Sequence, residues 1–238
     1  LDLTHPDLVT RVLGVDSCPS GWVGISIGGD GLAAWFGRTL AEVVAAAEAG
    51  GPLACVGVDI PLGLPDVGRR RADAEVRALL SPRGSCVFDA LTRVAYEATT
   101  HAEANTLQRT QTGKGLSQQA YRLGLKVLDA NAFAVLGTHV VIEAHPELCF
   151  ARMGDGVVRA GKKTWAGQQR RRELLVAQGI DVDQVGTAGE AGLRAGPDDL
   201  LDAAAVAWTA ARYVEGKASS YPDVPEVFSD GLPAAIWV

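Results

Sequence analysis

The 238-residue chain predicts an α/β fold built on a mixed sheet flanked by helices. Three observations carry that expectation. Short apolar runs ending in an acid occur at Arg11 to Asp16, Ala54 to Asp59 and Val140 to Glu143. The stretch after the first run alternates in the manner of an antiparallel meander. Helical patterns separate the runs, as crossovers between parallel strands require.

Taken in order, Arg11-Val12-Leu13-Gly14-Val15-Asp16 is a buried strand and Ser17-Cys18-Pro19-Ser20-Gly21 its turn-rich exit. Trp22 to Ile27 alternates large and small residues. Gly28-Gly29-Asp30-Gly31 tolerates positive φ, and Leu32 to Phe36 resumes the apolar run, which predicts a three-strand meander. Thr39 caps a helix with Glu42 three residues on. Leu40, Val43, Val44 and Ala47 then repeat at helical spacing until Gly50-Gly51. Ala54 to Asp59 is the second buried strand, and the prolines of Ile60-Pro61-Leu62-Gly63-Leu64-Pro65 prevent it from continuing. A helical pattern with irregular breaks follows, read as a helical insertion at about 66–137. Val140 to Glu143 is the third acid-terminated strand. A basic stretch runs from Lys162-Lys163 to Arg170-Arg171-Arg172 and leads into a helix that Gly179 ends. Pro197-Asp198-Asp199 opens a long Ala-rich helix, Leu200 to Val214, and a Pro-rich tail occupies about 217–238. The whole chain, 1–238, reads as one domain.

Composition narrows the function classes. With 47% apolar and 21% charged residues the chain is globular, and it has no run of about 20 apolar residues to span a membrane. Cys18, Cys55, Cys86 and Cys149 show no C-x-x-C spacing, and Leu1 to Asp7 lacks the regions of a signal peptide. A reduced, cytoplasmic protein is the expectation. The 22 Lys and Arg against 28 Asp and Glu give a formal net charge of −6, which disfavours polyanion binding through bulk charge. No G-x-S-x-G elbow, P-loop or G-x-G-x-x-G is present, so esterase, P-loop and dinucleotide-binding readings fall.

The carboxylates are more informative. Right-handed crossovers gather the C-terminal ends of parallel strands at one edge, so Asp16, Asp59 and Glu143 are expected near a topological switch point. Asp199 and Asp202, three apart at the start of the last helix, project from one face, with Asp198 four before Asp202. Several acids at one edge repel, and hard oxygen donors select Mg²⁺ or Mn²⁺ to neutralise them. Two such ions about 3.5–4 Å apart would serve phosphodiester cleavage. Plainer roles stand beside this: helix capping for Asp198 and Asp199, an Asx-turn for Asp16, a loop cap for Asp59. His145 and Glu147 are candidates for proton transfer, and His145 with Cys149 makes a weak zinc claim. Lys162, Lys163 and Arg170 to Arg172, with Arg69 to Arg71 as a second cluster, suit phosphate contacts or solvated helix faces, and Trp165 suits base stacking.

Gly14-Val15-Asp16 with Gly21-Trp22, Gly57-Val58-Asp59-Ile60-Pro61-Leu62-Gly63-Leu64, Glu143-Ala144-His145-Pro146-Glu147, Lys162-Lys163-Thr164 and Asp198-Asp199-Leu200-Leu201-Asp202-Ala203 resemble the successive motifs of an uncharacterised predicted-nuclease family, domain of unknown function 429. The resemblance runs from about Val12 to Arg212. It implies a ribonuclease H-like sheet, a three-strand antiparallel meander plus parallel strands, with acids on the first and fourth strands and the last helix. Asp199-x-x-Asp202-Ala also resembles the helix acids of Holliday-junction resolvases. In that topology Glu143 starts about 10 Å from Asp16, two strands away. Asp16, Asp59 and Asp202, then Asp199, are therefore the expected metal ligands, with Glu143 completing the catalytic set. Lys163, Arg170 and His145 are the expected substrate contacts. A metal-dependent nuclease is the leading expectation, acting on nucleic acid or a nucleotide. The alternatives are a non-catalytic nucleotide- or nucleic-acid-binding domain and a phosphotransferase of the sugar-kinase and actin branch.

Overall fold

A computed structural model describes residues 10–29, 31–154 and 156–238. Leu1 to Asp7, and Asp30 of the predicted turn, lie outside the described residues. Strands β1 (Val12–Cys18), β2 (Gly21–Ile27) and β3 (Ala33–Gly37) form the antiparallel meander. β1 does not end at its acid. It continues to Cys18, because Ser17 and Cys18 still find partners in Trp22 and Gly21 across the hairpin. Helix α1 (Leu40–Glu48) starts as its sequence dictates, Thr39 Oγ1 accepting from the Glu42 N–H at 3.2 Å. Strand β4 (Cys55–Val58) then pairs parallel to β1.

Five helices follow: α2 (Arg71–Leu79), α3 (Arg93–Glu97), α4 (His101–Thr112), α5 (Gln118–Arg122) and α6 (Gly124–Val135), with a 3-10 turn at Gly84–Cys86. Asp129 of α6 ties this insertion to the sheet, its Oδ2 accepting from Trp22 Nε1 at 2.7 Å and from the Leu40 N–H at 2.9 Å. Strand β5 (Val141–Ala144) leads into α7 (Pro146–Met153) and α8 (Trp165–Ala177). A second 3-10 turn (Val182–Val185), α9 (Gly189–Arg194) and α10 (Pro197–Val214) come next. Strands β6 (Ser220–Val227) and β7 (Pro233–Trp237) close the chain.

The sheet has seven strands in the order β3-β2-β1-β4-β5-β7-β6, with β1, β4, β5 and β7 parallel. Here the sequence expectation needs correcting: the Pro-rich segment is not a tail but two strands of the sheet. Its prolines are compatible because β6 pairs only with β7 and so is an edge, where a missing N–H leaves no ladder bond unmade, while Pro233 is the first residue of β7.

Alternation along the strands sorts side chains between two faces. Leu13, Val15, Val56 and Val58 pack under Leu40, Val43 and Val44 of α1 and Val127 of α6. Gly14 and Gly57 point the other way, toward α10. A Cβ on Gly14 would lie 2.0 Å from the Ala207 nitrogen and 2.2 Å from the Ala203 oxygen, and one on Gly57 would meet Val206 at 2.8 Å. Bare backbone on the strands and alanines on the helix let α10 lie directly on the sheet. That contact brings the start of α10 to the ends of β1 and β4.

Candidate functional site

The last matched pair between β1 and β4 is Val15 with Val58, so Asp16 and Asp59 are neighbours just beyond it. The Asp59 N–H bonds to the Val15 carbonyl at 3.0 Å and fixes that register. Asp16 and Asp59 share the parity of Gly14 and Gly57 and therefore emerge on the α10 side. Asp202, in the second turn of α10, is only 2% exposed and meets them there. All three line one cavity of about 420 Å³, together with Asp199, Lys162, Glu143, His145 and Glu147.

Lys162 is the cation at the centre of this group. Its Nζ lies 2.6 Å from Asp202 Oδ2 and 3.9 Å from Asp198 Oδ2. Burial lowers the lysine's pKa, but Asp202, Asp16 and Asp59 outweigh it and hold the ammonium above the ordinary lysine range. One positive charge does not balance three carboxylates. Burial, then repulsion from Asp59 and Asp202, raises Asp16 well above the usual carboxylate range. Burial likewise pushes Asp59 and Asp202 up to about 7 against the pull of Lys162. Asp199 is raised by burial as well, yet one of its oxygens is in use, accepting from the Gly196 N–H at 2.8 Å at the N-terminus of α10. Asp199 thus both caps the helix and lines the cavity.

Glu143 takes a different position. The register pairs it with Val58, not Asp59, so it has the opposite parity and points to the insertion side of the sheet. There Arg70, fully buried, grips both of its oxygens at 2.6 and 2.9 Å, and the Leu62 N–H bonds Oε2 at 2.8 Å. Arg70 also bonds Asp73 Oδ1 at 2.5 Å, whose Oδ2 accepts from the Ala90 N–H at 2.8 Å. Arg70 is thus an internal ion-pair residue rather than part of a surface basic cluster. Arg171 is another, buried against Glu147 at 2.6 Å.

The expected substrate contacts separate as well. His145 lines the cavity. Burial lowers its pKa and so favours the neutral imidazole, with Nε2 3.4 Å from the Cys86 carbonyl and Nδ1 without a partner among the described residues. Lys163 is exposed next to Lys162. Arg170 stands 3.5 Å from Glu173 and lines a separate cavity with Leu174 and Gly154. Cys149 does not join His145; its Sγ lies 3.2 Å from the Thr209 hydroxyl. The sequence places Lys162 and Lys163 in one basic group and ranks Lys163 first for substrate contact. The only signal for Lys162 was its place beside Lys163, which cannot say which of two adjacent lysines turns inward.

The donor chemistry fits a hard divalent cation: buried carboxylates, one lysine among them, and a shortage of positive charge. Among the described residues, however, no group of three His, Cys, Asp or Glu side chains stands as an ion-holding set as placed. Lys162 already occupies Asp202 Oδ2, so an ion would bind Asp202 through Oδ1 or displace the lysine.

A protein-family model described as "Protein of unknown function (DUF429)" matches residues 14–227. The chain belongs to this family. The matched span runs from Gly14 on β1 to the end of β6 and includes every acid of the cavity. Searches of curated proteins and of solved structures returned no match. Among the described residues no helix is long and apolar enough to cross a membrane.

Proposed function

We propose that this family member is a Mg²⁺- or Mn²⁺-dependent phosphodiester hydrolase, a nuclease on a ribonuclease H-like sheet. The observation that carries the reading is the meeting of Asp16, Asp59 and Asp202 in one cavity with a single lysine for counter-charge. The strand order β3-β2-β1-β4-β5, a meander followed by parallel strands with acids just past the last β1–β4 pair, supports it.

In this reading Asp16, Asp59 and Asp202 hold the metal, with Asp199 beside them. The bound ion would polarise the phosphoryl group and lower the pKa of an attacking water. Lys162, released from Asp202, faces the phosphate charge or the leaving oxygen. His145 lines the cavity with its Nδ1 buried and, among the described residues, unpartnered; turned toward the water, that nitrogen would accept its proton as the P–O ester bond breaks. Lys163, exposed next to Lys162, contacts the substrate backbone.

Cleavage of single-stranded, double-stranded, hybrid and branched substrates tests this. Activity should require Mg²⁺ or Mn²⁺ and fall at least about 100-fold in Asp16→Asn and Asp202→Asn. Equal turnover in wild type and both variants would sink the assignment. A second reading, a nucleotide- or nucleic-acid-binding domain without catalysis, is favoured by the Lys162–Asp202 contact, which gives one Asp202 oxygen a partner without an ion. Metal-insensitive ligand binding with no product after long incubation is the outcome that selects it.

A further inference from the structure

Glu143 and Glu147 both border the cavity, but their oxygens are used differently. Every oxygen of Glu143 has a donor. Glu147, in the first turn of α7, places both of its arginines on one oxygen: Oε1 lies 2.6 Å from Arg171 Nη2 and 3.5 Å from Arg83 Nη2. Among the described residues its Oε2 has no partner, although the atom is buried and the residue only 6% exposed. Two guanidinium groups beside one carboxylate would ordinarily engage both oxygens. A buried carboxylate oxygen without a donor is unfavourable unless something absent from the protein itself completes it.

The fold explains how Glu147 comes to the α10 side of the cavity when Glu143 does not. Ala144 has the α10-side parity, His145 turns the chain, and Pro146 opens α7, which packs against α10. Oε1 is anchored, because Arg171 is fully buried and also bonds the Ala160 and Gly167 carbonyls at 3.1 and 3.0 Å. The charge of Glu147 contributes to raising both Asp59 and Asp202, so it acts on the same acid group.

We propose that Glu147, rather than Glu143, supplies a further carboxylate ligand, its unpartnered Oε2, to a divalent cation held by Asp16, Asp59 and Asp202. The proposal rests on the divalent-metal reading above. Mn²⁺ titration by calorimetry, with metal-free unfolding midpoints, tests it on the wild type, Glu147→Gln, Glu147→Asp, Glu143→Gln and Asp202→Asn. Both Glu147 variants should bind Mn²⁺ about 10–100-fold more weakly. Glu143→Gln should lower the unfolding midpoint and leave affinity unchanged. Wild-type affinity in folded Glu147 variants, with binding lost in Asp202→Asn, overturns the proposal and leaves the metal reading standing. No Mn²⁺ binding by the wild type overturns both. Glu147→Asp keeps the charge facing Arg171 and Arg83, so it decides the question should Glu147→Gln fail to fold.

Discussion

Two groups of buried acids flank the same strand ends and differ in how their charge is met. On the insertion side, Glu143 and Asp73 share Arg70, and all four carboxylate oxygens receive a donor. On the α10 side, Asp16, Asp59 and Asp202 share Lys162, which makes one contact of hydrogen-bond length, with Asp202. The first group has what a structural ion-pair network needs: fixed geometry and satisfied lone pairs. The second retains unmet negative charge in a cavity, where a ligand can supply the rest. Buried acid alone therefore does not mark the site. Uncompensated buried acid does.

Three changes would break or sharpen this contrast. The largest effect belongs to Arg70→Met, which leaves Glu143 and Asp73 buried without their cation. We expect a loss of about 3–5 kcal/mol of stability in urea unfolding. A loss below about 1 kcal/mol would mean that the network is not structural.

Asp59→Asn should act in the opposite direction. Asp59 and Asp202 are held up to about 7 when folded and return to about 4 when unfolded. Between those values the native chain binds more protons than the unfolded one, so metal-free stability should decline as pH rises from about 4 to 7. Asp59→Asn is expected to raise metal-free stability at pH 7.5 by about 1–2 kcal/mol and to flatten the change between pH 5.5 and 7.5. Thermal unfolding at the two pH values measures both effects, and an unaltered slope counts against the uncompensated-charge account.

The smallest change in stability, and the most specific, is expected from Lys162→Met. Removing the resident cation should cost about 1 kcal/mol without metal and strengthen Mn²⁺ binding about tenfold, equivalent to 1.4 kcal/mol. Weaker binding in this variant would show that Lys162 assists the ion instead of competing with it.

Much of this was legible in the sequence because it is local. The cap at Thr39, the acid-terminated runs and the small residues of Leu200 to Val214 each report on their own neighbourhood. Ala203, Ala204 and Ala205 beside Asp202 are the small residues that a close helix–sheet contact needs. The misassigned features were those that depend on pairing. Glu143 resembles Asp59 in sequence, an acid at the end of an apolar strand, and only a one-residue difference in register sends it to the other face. Arg70 and Arg171 read as surface charge because nothing local reveals the carboxylates that bury them. The prolines of β6 suggested a tail because compatibility with an edge strand appears only once the edge exists.

The sequence by itself determined the α/β class, the meander, the helix carrying Asp199 and Asp202, and the acids at the strand ends. Hydrophobic period, capping chemistry and turn residues act over a few positions, so they can be read without a partner. Tertiary structure alone decided which acids share a cavity, which arginines neutralise the others, and that Lys162 rather than Lys163 turns inward. Those outcomes follow from strand register and from the placement of α10 on Gly14 and Gly57, contacts between segments far apart in the chain.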